Sequence, residues 1–394
     1  MSFFCNIRAL SEIFLNNSVD NKKEKIFRDV APRDLEFPLQ PDVSTVDKAS
    51  RKIDRNSGTL SDRSLFWSIF MHPFSSARLH RLIQLGFVLF LSWVAWRLYE
   101  YTQGVSGNGA FVPRPAAAEA FLPLSALLGL KRFLLTGQYD PIHPAGLTIL
   151  LIALCTAILC RRGFCGYLCP VGWLSGLLAR LGTRLGVSCR PGRRLEWLLS
   201  APKYVLLAAI LYSFVVSMDL PSIEWFLKSP YNLVADIKML QYFLAPGTLT
   251  LGVIVVIVMV LGSIFLPGFW CRGFCPYGAL LGLLSLLSPM AVNRNPASCS
   301  GCGSCAAACP SRIPVDERKR LSGPECVGCT ECVSACPSRC LDVRFGYGTG
   351  ALRFPAWGIA AGTLLILLIG YAAAVFTGHW EADLPPQMIR MFLN

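Results

Sequence analysis

Cysteine carries the chemistry of this chain, and its spacing says which chemistry. The run Cys299-x2-Cys302-x2-Cys305-x3-Cys309-Pro310 is followed by a second of the same form, Cys326-x2-Cys329-x2-Cys332-x3-Cys336-Pro337. Three close thiolates and a fourth just before proline form the ligand pattern of a bacterial [4Fe–4S] ferredoxin, in which the fourth cysteine of each run crosses to the other cluster. The spacing therefore predicts one cluster on Cys299, Cys302, Cys305 and Cys336, and another on Cys326, Cys329, Cys332 and Cys309. Zinc sites use two separated pairs rather than a doubled four-cysteine run. The chemistry expected here is one-electron transfer.

A second cysteine pattern lies upstream. Cys165-x3-Cys169-Pro170-Val171-Gly172 recurs 106 residues later as Cys271-x3-Cys275-Pro276-Tyr277-Gly278, and Gly176-Leu177-Leu178 falls on Gly282-Leu283-Leu284. On helices, cysteines four apart share a face. Three readings are open for this set: a four-cysteine metal or cluster site, a thiol–disulfide relay to the ferredoxin clusters, or small buried residues at helix caps. Arg162 and Arg272 stand beside the pairs, either to lower thiolate pKa values or as anchors at the membrane face. Cys5, Cys155, Cys160, Cys189 and Cys340 match no ligand spacing and read as structural.

These sites need elements to hold them, and the composition indicates membrane helices. Over 394 residues, 53% are hydrophobic and only 15% charged, with mean hydropathy +0.48. Segments 82–99, 146–160, 202–218, 249–266 and 356–376 are the expected spans of an apolar core about 30 Å thick. Residues 119–130 are too few to span and read as a re-entrant or interfacial helix. The net charge of +13 collects beside span ends, so nucleic acid is not an expected partner. Eight basic residues against one acid in 161–203, and a basic ferredoxin segment, put the N-terminus and both clusters on the cytoplasmic side. Residues 1–65 mix eleven basic with ten acidic side chains and read as a disordered tail without a cleavable signal peptide.

Each half reads as an outgoing span, an external segment near a glutamate, a returning span, a Cys-x3-Cys-Pro and an amphipathic helix. The two halves are expected to be parallel repeats about an axis along the membrane normal. Glu119 and Glu224 occupy matching positions in apolar surroundings, where proton exchange with a quinol and snorkelling to the interface are the competing roles. His72, His80, His143 and His379 lie outside the apolar cores, which argues against haem between spans. No dinucleotide or phosphate-binding loop is present in the sequence.

The paired Cys-x3-Cys-Pro motifs followed by a two-cluster module resemble the membrane polyferredoxins, a family that includes NapH, the C-terminal half of NosR and the CcoG/RdxA assembly factors. The resemblance covers roughly residues 80–345. It implies redox-essential roles for Cys165, Cys169, Cys271 and Cys275, cluster ligation by the eight ferredoxin cysteines, and electron delivery to a protein outside the cytoplasmic membrane. The chain lacks the external flavin-binding or immunoglobulin-like domains of some members and adds a fifth expected span.

The expectation is an α-helical polytopic protein of the bacterial inner membrane, with about five spans in two parallel repeats and a small α+β two-cluster ferredoxin domain. Its parts are a tail (1–65), a membrane domain (66–290), the ferredoxin domain (291–345), and a last span with a short external tail (346–394). The expected cofactors are two [4Fe–4S] clusters, with a third metal or cluster site and a quinone as further candidates. Partners are the lipid bilayer and the quinone pool or a membrane or periplasmic redox protein. The alternatives to electron relay are copper reduction for assembly of a respiratory enzyme, and redox sensing.

Overall fold

The computed structural model describes residues 76–382, apart from 108, 111, 189–192, 245–250 and 349, together with Ile389. The expected tail over 1–65 lies outside the described residues. Helix α1 (Ser76–Val105) is a 30-residue run of Leu, Phe and Trp with its charges near the ends. Leu89 and Trp93 on it are more than half exposed, an arrangement that needs lipid rather than water around it. After a 3-10 turn (Ala116–Phe121) comes α2 (Pro123–Thr136), which starts on proline and ends at Gly137 with φ +70°. Proline at a first helical position and a left-handed glycine after the last are the usual boundary signals. The segment expected to be interfacial is this turn and helix.

Helix α3 (Pro144–Leu159) is buried on most sides by α2 and by two later helices. It is followed by α4 (Pro170–Arg184) and by α5 (Arg193–Ile210), which runs on as a π-helical stretch, Leu211–Val216. Short helices lead to α6 (Leu251–Phe265) and α7 (Pro276–Leu284). Then come β1 (Met290–Arg294), α8 (Ser304–Ala307), β2 (Arg320–Leu321), α9 (Glu331–Ser334), β3 (Leu341–Phe345), β4 (Leu352–Phe354) and α10 (Gly358–Phe376). The strands form one antiparallel sheet in the order β2-β1-β3-β4, with Met290 opposite Phe345 and Arg294 opposite Leu341.

Three helical stretches, 77–105, 198–216 and 358–376, are long and apolar enough to cross a membrane. The other two expected spans are helical but short: α3 has 16 residues and α6 has 15, below the roughly 17–25 of a typical span. The chain is thus a mostly helical membrane protein with three candidate spans rather than five demonstrated ones. One core cluster joins the cysteine-rich module to the helices. Cys160, Tyr167 and Leu168 after α3 pack with Val292, Leu321 and Val343 of the sheet and with Ile359 of α10. Burial of those side chains, each 5% exposed or less, fixes the module against the membrane part.

Candidate metal centre

The two Cys-x3-Cys-Pro segments fold alike, and not as the uninterrupted helix expected from their spacing. Cys165 lies in a π-helical turn (Phe164–Leu168) and Cys271 in a five-residue helix (Phe269–Gly273). Cys169 and Cys275 are extended, at ψ 119° and 105°, and cap α4 and α7. The physical reason is the proline that follows, whose ring drives the preceding residue out of the helical region and then opens a new helix. Each second cysteine therefore faces free backbone N–H groups. Gly278 N donates to Cys275 Sγ at 3.2 Å, and Cys169 faces the amides of Val171 and Gly172. Glycine three residues after each of these cysteines keeps the approach open. A Cβ on Gly172 would stand 2.9 Å from the Cys165 carbonyl, and one on Gly278 2.9 Å from the Arg162 guanidinium.

The two segments meet. Phe164 and Tyr277 pack edge-to-face at 5.9 Å, and Cys271 lies within electrostatic reach of Cys165, Cys169 and Cys275. Four half-buried thiols from two distant stretches thus share one place. Burial pushes the Cys169 thiol up to about 12 and raises Cys271 and Cys275 as well.

Cations surround this place to an unusual degree. Arg161, Arg162 and Lys203 are all at most 4% exposed. Among the described residues Glu325 is the carboxylate paired with two of them, 3.7 Å from Arg162 and in direct contact with Lys203. Three cations against one carboxylate leave two buried positive charges, and the Nε atoms of both arginines lack a hydrogen-bond partner. Buried charge needs a counter-charge. Arg162 Nη2 points at Cys165 Sγ, 4.0 Å away, and Arg161 reaches Cys326. Anionic thiolate-bound groups on both sides of the arginines would supply the missing balance. The sequence offered Arg162 either as a neighbour that lowers thiolate pKa values or as a membrane-face anchor, showed Arg161 and Lys203 only as membrane-face basic residues, and gave no sign of Glu325. Arg272, beside the second cysteine pair, is partly exposed and 3.5 Å from Glu196.

The ferredoxin cysteines separate into an inner and an outer set. A small pocket is lined by Cys326, Cys329 and Cys332 with Cys309, under Val292, Val315 and Leu321. That grouping is the crossed one the spacing predicts. Cys305 is a neighbour of Cys336, Cys302 is exposed, and Cys332 has both Cys309 and Cys305 nearby, so the two sets adjoin. Among the described residues no three metal-binding side chains converge as for a single ion. Ligands of a four-iron cubane sit at its separate corners, and the cysteine-lined cavity suits that geometry.

The inner set is tied to the first Cys-x3-Cys segment. Tyr167 donates to the Gly328 carbonyl at 3.2 Å, and the Gly166 carbonyl accepts from Gln84 Nε2 at 2.7 Å and His80 Nε2 at 2.9 Å. His80 Nδ1 lies 3.2 Å from Glu331 in the second cysteine run, and His80 holds that carboxyl below the usual glutamate range. Arg161 donates to Gly323 O at 2.6 Å and Arg162 to Pro324 O at 3.0 Å. A Cβ on Gly166 would stand 2.6 Å from Val327 O. Nothing in the linear spacing foretold this docking.

At the other end of α3, Glu119 and Glu224 are not equivalent. Glu119 is 1% exposed, receives Gly146 N at 2.9 Å, and lies 3.3 Å from His143 and 3.7 Å from Arg114. Arg114 in turn donates to Asp236 at 2.8 Å. Glu224 has a 40% exposed side chain and one ion pair, to Arg132 at 3.8 Å.

Two kinds of family model match this chain. One described as a 4Fe-4S dicluster domain covers residues 291–337. One described as a 4Fe-4S binding domain matches twice, over 142–188 and 248–295, and each match holds one Cys-x3-Cys-Pro. YccM of Escherichia coli (strain K12), provisionally named an electron transport protein, is 35% identical over 345 residues, covering 86% of this chain and 95% of YccM. The methylamine utilization ferredoxin-type protein MauN of Methylorubrum extorquens is 28% identical, covering 54% of this chain and 74% of its own. The ferredoxin-type protein NapH of Haemophilus influenzae is 27% identical, covering 51% and 66%. No solved structure matches.

Proposed function

The chain belongs to the membrane polyferredoxins, and from that premise we propose that it passes single electrons between a quinol or cytoplasmic donor and a membrane or periplasmic redox partner. Iron–sulfur clusters held by its thiolates supply the one-electron chemistry. The chain's own residues set the order of the sites. Cys302 opens the outer set to a soluble partner, while Cys329 and Cys332 bury the inner set against the membrane part. Arg161 and Arg162 bridge the inner set to Cys165, Cys169, Cys271 and Cys275, which we read as ligands of a third cluster at the membrane face. The observation that carries this reading is the pair of buried, undercompensated arginines with Cys326 on one side and Cys165 on the other. The positive-inside count supports a cytoplasmic module in a bacterial inner membrane.

The deciding experiment is iron and acid-labile sulfide per chain, with EPR, on anaerobically purified wild type and a Cys165/Cys169/Cys271/Cys275→Ser variant. About twelve irons falling to about eight supports the third site; about eight in both removes it.

A second observation favours a quinol as the donor. An open cleft beside Cys271 and Cys275 is walled by Leu199, Leu266, Phe269 and Phe274, with Arg272 and Glu196 at its polar edge. Apolar walls and a few polar groups suit a quinone ring. Substituting Phe269→Ala should weaken quinol-linked reduction while leaving iron content intact; unchanged quinol kinetics would remove this donor site.

A further inference from the structure

The two cysteine runs end in the same turn, with one difference. The first reads Cys309-Pro310-Ser311-Arg312-Ile313 and the second Cys336-Pro337-Ser338-Arg339-Cys340. Arg312 and Arg339 both adopt a left-handed conformation, at φ +52° and +49°. That conformation is uncommon for a side-chain-bearing residue, and here it bends the chain back on itself. In each run it aims the backbone N–H of the next residue, Ile313 or Cys340, at the sulfur of the run's fourth cysteine. One turn thus delivers an apolar side chain in the first run and a thiol in the second.

That thiol is not an idle filler. Cys340 is 6% exposed, its Sγ lies 3.4 Å from Cys336 Sγ, and it also faces Cys299. A single extra cysteine therefore touches both the first and the last ligand of the outer set. It is firmly held, because its carbonyl accepts from Asn295 N at 2.8 Å and the next residue begins β3, paired with β1. Rotation about its Cα–Cβ bond between staggered positions is the motion left to it.

We propose that Cys340 is a reserve ligand of the outer iron–sulfur site, placed to take over the iron held by Cys336. The inference rests on the reading of Cys299, Cys302, Cys305 and Cys336 as cluster ligands. In the exchange the Cys340 thiol gives its proton to solvent and forms an Fe–S bond. The bond from Cys336 breaks and that sulfur takes up a proton, with no electron gained or lost. The outer site is where such a reserve is useful, because its Cys302 is open to solvent and to oxidants.

The test is iron, sulfide and EPR on the full-length protein carrying Cys336→Ser, Cys336→Ser/Cys340→Ala or Cys309→Ser. Cys336→Ser should retain wild-type iron with an altered EPR signal, and the double variant should lose up to about four irons. Cys309→Ser, whose turn ends in Ile313, should lose its cluster without a reserve. Loss of as much iron from Cys336→Ser as from the double variant, with the inner signal kept, overturns the proposal. Should Cys336→Ser yield no folded protein, Cys309→Ser/Ile313→Cys decides: iron regained over Cys309→Ser supports the geometry, and none regained overturns it. Cys302→Ser separates the premise from the proposal. Unchanged iron in that variant would mean that the outer set binds no cluster at all.

Discussion

Replacing Arg162 by glutamine is the sharpest probe of the membrane-face site. Arg162 Nη2 lies 4.0 Å from Cys165 Sγ, and an electron on a bound cluster would sit beyond that sulfur by about a metal–sulfur bond, about 2–3 Å. At about 7 Å and an effective dielectric constant of about 20, one unit charge contributes about 2.4 kcal/mol. For a one-electron couple, with about 59 mV to each 1.4 kcal/mol, that is about 100 mV. Lys203 and Arg161 remain nearby, so relaxation of their side chains should reduce the effect to about 50–100 mV. The sign is fixed by charge: removing a cation makes adding an electron less favourable, so the potential becomes more negative. Glutamine keeps a donor for the Pro324 carbonyl, and Arg162→Lys should recover most of the shift. The assay is an EPR-monitored redox titration of the couple that disappears in the four-serine variant, with iron counted on the same sample. The outer-site couple serves as the internal control and should not move. A shift below about 20 mV at full iron content would refute the electrostatic argument.

Three further outcomes follow from the geometry. Gly166→Ala places a Cβ 2.6 Å from Val327 O, and overpacking of this kind should cost about 1–3 kcal/mol, read as a lower Tm and slowed transfer between the inner set and the membrane-face site. Glu119→Gln should destabilise the protein by about 3–5 kcal/mol, because it leaves buried Arg114 and His143 short of a partner, whereas Glu224→Gln should cost about 1 kcal/mol or less; denaturation in detergent compares the two. The carboxyl of Glu331 is held low by His80, so its contribution is present at neutral pH and lost as pH falls through that lowered pKa. The Tm gap between wild type and Glu331→Gln should therefore be open at pH 7 and close in acid below the ordinary glutamate range of about 4.3; a gap constant with pH would contradict it.

The cysteine spacing alone determined the kind of chemistry, because ligand order along a short loop is a local property of the chain. The crossing of Cys309 to the second run is what the spacing predicts, and one pocket is lined by Cys309 together with Cys326, Cys329 and Cys332. Long apolar runs likewise indicated membrane helices, although α3, at 16 residues, and α6, at 15, fall below the usual length of a span. The extended conformation of Cys169 and Cys275 was written in the proline after each, but a reading by helical period passed over it. Only the tertiary structure decided what the basic residues do. Arg161 and Lys203 count as membrane-face basic residues in the linear sequence, yet with Arg162 they are buried: Arg161 reaches Cys326, Arg162 points at Cys165, and Arg162 and Lys203 share one carboxylate more than 100 residues away. It also decided that Glu119 is buried and Glu224 exposed, and that Cys340 rests on Cys336. Such facts depend on which distant segments burial brings together, and long-range packing leaves no periodic trace along the chain.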